Sequence, residues 1–238
     1  MKTIIILFFT LFISCYFYSQ EKLNIVCFEL PPYCYIENDK PTGLVIDLFN
    51  AMRTKVYKKL STIEILPLAR AIYKLDKGNT ILLLFTRIES REKNYQWINL
   101  VYNDSFVFIT PTGDKIINSF DEAKLAGSIL TRSKASTEKM LLEKGFSNID
   151  SSPSDEEQQF LKFYNGRSRI WFAPMVVSKT LISKYNAEKL FNIGKPVAEL
   201  NLYMVASNNV SLEVIEKMRI AFNSIDKKNI YKKYGLIE

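Results

Sequence analysis

The chain predicts an α/β fold with mainly parallel strands, and three observations predict it. Short apolar runs alternate with stretches of helical periodicity along the whole sequence. Gly78 and Gly145 sit just past two of the helical stretches, where C-terminal caps are common. The stretch from Glu29 to Met52 reads as the end of a strand, a polar-aromatic loop, a turn and a helix. A strand that ends in such a loop is where an open α/β sheet holds a ligand.

The elements follow in order. Strands are expected over 23–28, 62–66, 80–85, 106–110, 128–130, 170–173, 190–193 and 202–206. Helices are expected over 44–57, 68–75, 119–123, 137–143, 155–163, 176–185, 212–225 and 230–234. In the first helix Leu44, Val45, Leu48, Phe49 and Met52 recur at helical spacing. In the second, Leu68, Ile72 and Leu75 share one face. Between Tyr35 and the first helix, Asn38-Asp39 and Pro41-Thr42-Gly43 act as breakers. Two stretches look like crossings between halves of the chain, near 103–113 and 194–207.

The N-terminus is set apart. Met1 and Lys2 precede an apolar run from Ile4 to Phe12, with Ser14 and Ser19 behind it. That pattern describes a secretory signal over 1–20. A retained anchor is the alternative, although the apolar core before Ser14 is short for a bilayer. Lipidation at Cys15 is a further option, poorly served by the bulky Tyr16-Phe17-Tyr18. The rest is long enough for one large domain or two lobes of about 100 residues each.

Composition excludes several chemistries. The sequence has no histidine, which removes Ser-His-Asp and Cys-His nucleophile activation and the commonest metal ligand. Cys27 and Cys34 cannot build an ordinary zinc site without it. They could form a disulfide in an oxidising compartment, or Cys27 could be a buried strand residue. No metal and no cofactor is expected. The net charge is +7 at pH 7, with both signs mixed along the chain. That describes the solvated surface of a Lys-rich protein and argues against a nucleic-acid partner.

Two segments carry the chemistry. The first is Glu29-Leu30-Pro31-Pro32-Tyr33, with an acid and aromatics at a strand mouth. The second is Phe85-Thr86-Arg87-Ile88-Glu89-Ser90-Arg91-Glu92-Lys93, directly after the apolar run 80–85. An arginine there could fork onto a carboxylate, since a guanidinium offers two parallel donors and keeps its charge when desolvated. Without further information a surface salt-bridge cluster is the competing reading.

These segments resemble bacterial extracellular solute-binding proteins of the polar amino-acid family (family 3). Pro31, Pro32, Tyr33, Gly43 and Asp47 match the family's Pro-Pro-aromatic loop and Gly-x-x-x-Asp/Glu helix start. The segment from Phe85 to Lys93 resembles its Thr-x-x-Arg element, with Arg91 mapped as the arginine and Thr86 as the hydroxyl, and Arg70-Ala71 match part of a proline-tryptophan-x-arginine-alanine element. The resemblance implies a two-lobed type II periplasmic-binding fold, each lobe a mainly parallel sheet flanked by helices. Lobe 1 would comprise 21–108 and 203–238, lobe 2 would comprise 109–202, and two strands would form the hinge.

The resemblance also implies the site. Arg91 would clamp the carboxylate of the ligand and Thr86 would help with its hydroxyl. Glu29 and Tyr33 would line the first lobe, and Arg70 would either point into the cleft or lie exposed on its helix. In the second lobe Ser133 and Lys134 stand where a glycine and a hydroxyl are usual, unless Ser133 or Ser136 is only a helix N-cap. Trp171 would face the cleft or the core. Pro174 occupies the place of the acid that receives the ligand's amine, and Arg169 replaces an earlier Asp. The expected role is a monomeric periplasmic binder. It would capture a small carboxylate-bearing molecule, an amino acid or a relative, for the inner-membrane permease of an ABC transporter. An enzyme on the same scaffold, of dehydratase or cell-wall lytic type with Glu29 as its acid, and a ligand-sensing module are the alternatives.

Overall fold

The computed structural model describes residues 23–56 and 62–236. The expected leader 1–20 and Cys15 lie outside these residues. The elements run β1 (Asn24–Phe28), β2 (Tyr35–Glu37), β3 (Lys40–Thr42), α1 (Leu44–Val56), β4 (Ile63–Leu66), α2 (Leu68–Lys77), β5 (Thr80–Thr86) and β6 (Gln96–Pro111). A one-turn 3-10 helix, Glu89–Arg91, lies between β5 and β6. Then come α3 (Phe120–Lys124), β7 (Ile129–Leu130), α4 (Ser136–Glu143), β8 (Ile149–Asp150), α5 (Glu156–Tyr164), β9 (Ile170–Pro174) and α6 (Met175–Lys184). β10 (Phe191–Ile193), β11 (Ala198–Ala206), α7 (Leu212–Ser224) and α8 (Lys228–Lys233) complete the described chain.

One continuous sheet carries the strands in the order β4-β1-β5-β11-β6-β9-β7-β8, with β10 also on β6. Its two ends are parallel: β1 pairs β4 and β5, and β7 pairs β8 and β9. Its middle is antiparallel, through β5–β11, β11–β6 and β6–β9. The expectation of mainly parallel strands therefore holds for the two groups and not for the join. β6 is the join: residues 96–106 pair with β11, and Phe106 to Ile109 pair with β9. At about 3.3 Å per residue, its 16 residues span roughly 50 Å, long enough to run through both groups.

Each group has its own apolar filling. In α1, Leu44, Val45, Leu48, Phe49 and Met52 are buried against the sheet. At about 1.5–3 kcal/mol for each large apolar side chain, that face holds the helix in place. Asp47 on the same helix accepts from Lys233 Nζ at 2.7 Å and Tyr234 Oη at 2.8 Å. The last turn of the chain is thereby fastened to its first helix. The other group packs around Trp171, Phe160, Phe163, Phe108 and Phe172, all buried. Side chains cap three helices: Ser119 accepts from Glu122 N, Asp155 from Gln158 N and Ser211 from Val214 N. Such caps contribute about 1 kcal/mol each. None of the described helices is long and apolar enough to cross a membrane.

Candidate functional site

The carboxyl ends of the two parallel strand groups face each other. β1 ends at Phe28 and β5 at Thr86; opposite them, β7 runs into Thr131-Arg132 and α4 starts at Ser136. Two contacts span the gap. Ser136 Oγ donates to Thr86 Oγ1 at 3.3 Å, and the Arg132 guanidinium lies 5.4 Å from the centre of the Phe28 ring.

The first wall is shaped by a tight loop. Leu30 N donates to Cys34 O at 2.7 Å, closing residues 30–34 on themselves. The first amides of α1 then meet loop carbonyls: Leu44 N donates to Pro32 O at 3.1 Å and Val45 N to Tyr33 O at 2.9 Å. Gly43 makes this approach possible. Its φ is +125°, and a Cβ there would lie 2.5 Å from Tyr33 O. Cys27 and Cys34 are free thiols, both buried. Burial, then the neighbouring Cys34, pushes the Cys27 thiol up.

Arg91 stands apart from its charged neighbours. Arg87 takes the carboxylate of Glu92, with Nε at 2.8 Å, and lies over Trp97 and Tyr203. Arg91 has no ion-pair partner among the described residues; its Nη1 donates to Thr86 O at 3.1 Å and its guanidinium lies 3.9 Å from the Phe85 ring centre. Burial pulls its pKa down to about 10; Arg132 adds to the fall, while Tyr95 and Asp76 oppose it. It is still protonated at neutral pH, with donors left to offer an anion.

The family match settles which architecture this is. The sequence matches the bacterial extracellular solute-binding proteins, family 3, over residues 25–236. The chain belongs to that family. Its role is therefore solute binding, on a two-lobed fold. No curated relative matches it in sequence. Three solved structures show the same fold at low identity. An ancestral arginine-binding protein bound to arginine is 20% identical, covers 89% of this chain and 95% of its own, and has a TM-score of 0.75. The arginine-, lysine-, histidine-binding protein of Geobacillus stearothermophilus is 18% identical, with coverage of 90% and 95% and a TM-score of 0.76. A histidine kinase sensor domain with similarity to periplasmic binding proteins is 12% identical, with coverage of 91% and 96% and a TM-score of 0.80.

Within this family 3 frame the expected site residues fall into two sets. Thr86 and Arg91 come together beside Ser136. Glu29 is exposed immediately after β1, and Arg70 is exposed in the first turn of α2. Tyr33 does not offer its hydroxyl to the gap: it is buried, and its Oη donates to Asp104 Oδ2 at 3.0 Å. Trp171 is likewise turned into the second core, with its ring 5.7 Å from both Phe160 and Phe163. Both faces of β9 are buried, so the strand had no solvent side on which to place it.

Around Ser133 the register shifts. Lys134 holds the left-handed position with φ 60°, and its N donates to Glu138 Oε2 at 2.6 Å. Ser133 N donates to Pro153 O at 3.0 Å. The hydroxyl that meets Thr86 belongs to Ser136, weighed in the sequence only as a cap. Pro174 precedes α6, and an acid does stand beside it, but on β6. Asp104 accepts from Val176 N at 3.2 Å and from Ser105 N at 2.7 Å as well as from Tyr33. Burial raises its pKa above the ordinary carboxylate range although those three bonds pull the other way. Arg169 pairs with Asp114 on the surface.

Arg132 was not among the expected residues. A sequence shows a charge at a strand end but not whether solvent, a carboxylate or the opposite wall will meet it.

Proposed function

We propose that this protein closes two lobes on a small carboxylate-bearing molecule, an amino acid or a close relative, and delivers it from the periplasm to the permease of an ABC transporter. Lobe 1 would comprise 21–108 and 203–238, lobe 2 would comprise 109–202, and β6 with β11 would be the hinge strands between them. The single observation that carries the reading is Arg91. It is a guanidinium without a carboxylate partner among the described residues, set against the Phe85 ring and the carbonyl of Thr86, the residue whose hydroxyl takes Ser136 Oγ. Leaving such a charge partly desolvated is costly unless something anionic joins it. The solved structures with this fold include an ancestral arginine-binding protein bound to arginine or to glutamine and the substrate-binding protein of an amino acid ABC transporter. Closure makes and breaks no covalent bond.

The test is ligand identification. Purified protein is analysed by mass spectrometry for a co-purified small molecule, then melted against amino acids, organic acids and short peptides. A ligand at a hundred times its dissociation constant should add about 2.7 kcal/mol of stability. A best ligand without a carboxylate contradicts the reading, and so does chemical conversion of the ligand on incubation.

A further inference from the structure

The buried ion pair on the second wall carries more hydrogen-bonding capacity than its own members use. Arg132 follows β7 and Glu156 opens α5; each has a relative exposure of 5%. Arg132 Nη1 lies 3.3 Å from Glu156 Oε1. That contact leaves Arg132 Nε and Glu156 Oε2 without hydrogen-bond partners among the described residues. Buried charges are ordinarily saturated with hydrogen bonds, because a half-satisfied pair does not recover its desolvation cost.

Arg132 pairs within its own lobe and also reaches the opposite wall. Its guanidinium reaches the Phe28 ring at the end of β1, 5.4 Å away, and its charge is felt by Arg91. Beside it, Ser136 touches Thr86, whose carbonyl holds Arg91. Two guanidiniums, one from each wall, thus approach one gap, and one of them has a single buried carboxylate for company. An amino acid with a second, side-chain carboxylate brings one negative charge net and balances the three. A plain dicarboxylic acid balances them when Glu156 takes up a proton.

We propose that Arg132 is a second carboxylate-binding residue, so that the ligand carries two carboxylates, one for Arg91 and one for Arg132, with Glu156 positioning Arg132. This rests on the reading of Arg91 as the first anchor. It assigns the ligand class: acidic amino acids, or small dicarboxylic acids of similar length.

Titration calorimetry on the purified, ligand-free protein tests it. L-glutamate and L-aspartate are compared with L-glutamine and L-asparagine, and succinate with its monoamide. At least one diacid should bind about a hundredfold more tightly than its amide, the scale of losing a charge-assisted pair. Arg132→Gln should bring that ratio close to one. Because this variant strands Glu156, the double change Arg132→Gln with Glu156→Gln is run beside it, with thermal melting to show that it folds; the ratio should collapse there too. Amides bound as tightly as their acids by the wild type, or a ratio that survives in either folded variant, would overturn the proposal. A neutral or basic amino acid bound in preference to every diacid would overturn it while leaving Arg91 in place. Failure of every carboxylate would remove the first anchor as well. Succinate matching aspartate would assign the site to plain dicarboxylic acids; succinate failing would assign it to acidic amino acids.

Discussion

The two walls of the gap are built alike and equipped differently. Each is the carboxyl edge of a short parallel strand group, β4-β1-β5 on one side and β8-β7-β9 on the other. On the first wall, Arg91 Nη1 donates to Thr86 O, and Gly43 brings the first turn of α1 against the loop. On the second wall the expected groups are displaced. The left-handed residue is Lys134, the facing hydroxyl is Ser136, and the acid next to Pro174 is Asp104, reaching over from β6. A local sequence match thus fixes where a chain segment lies, and not which of its side chains faces the gap.

The largest expected effect lies in the second core. If Trp171 is packing and not a ligand platform, Trp171→Ala should lower stability by about 4 kcal/mol, as deletion of a buried aromatic does. Chemical denaturation measures this. A loss below about 1 kcal/mol together with lost binding would return Trp171 to the cleft.

The first wall has a backbone equivalent. Gly43→Ala combines an unfavourable φ with a Cβ 2.5 Å from Tyr33 O, and should cost about 2–3 kcal/mol. The same denaturation series reads it, and a cost within about 0.5 kcal/mol would show that the loop simply moves aside.

A smaller effect sharpens the join between the walls. Asp104 is raised in the folded state by burial, so the folded protein holds its proton to higher pH than the unfolded chain does. Its contribution to stability is fully present below the ordinary aspartate pKa and is lost as pH rises through the folded value. Asp104→Asn removes that part of the slope while keeping an acceptor for Tyr33 and Val176. Denaturation midpoints followed from the ordinary aspartate range upward should fall less steeply in the variant; parallel curves would show that Asp104 titrates as it does unfolded.

Most of the fold was legible in the sequence. The fifteen expected strands and helices outside β6 appear within a few residues of their predicted positions, because apolar periodicity and the core faces coincide. The first half of β6 was not legible. Gln96, Asn99, Asn103 and Asp104 give it the polarity of a loop, but Gln96 Nε2 is spent on Ser207 O and Val210 O, and Asp104 on its three donors. The β2–β3 hairpin was read only as a turn. Asn38 and Asp39 both have positive φ, 49° and 58°, the requirement of a two-residue hairpin connection. At the site, Arg91 could be separated from its neighbours only in three dimensions, where Glu92 goes to Arg87. Ser136 was missed by register, since nothing local announces that Lys134 will adopt the left-handed conformation.

The central claim is that Arg91 holds a carboxylate of the bound molecule. The direct measurement is titration calorimetry of the identified ligand against the wild type and Arg91→Ala, with thermal melting of both free proteins. A folded Arg91→Ala protein that has lost at least about a hundredfold in affinity is the predicted result; a folded variant that binds as tightly as the wild type would contradict it.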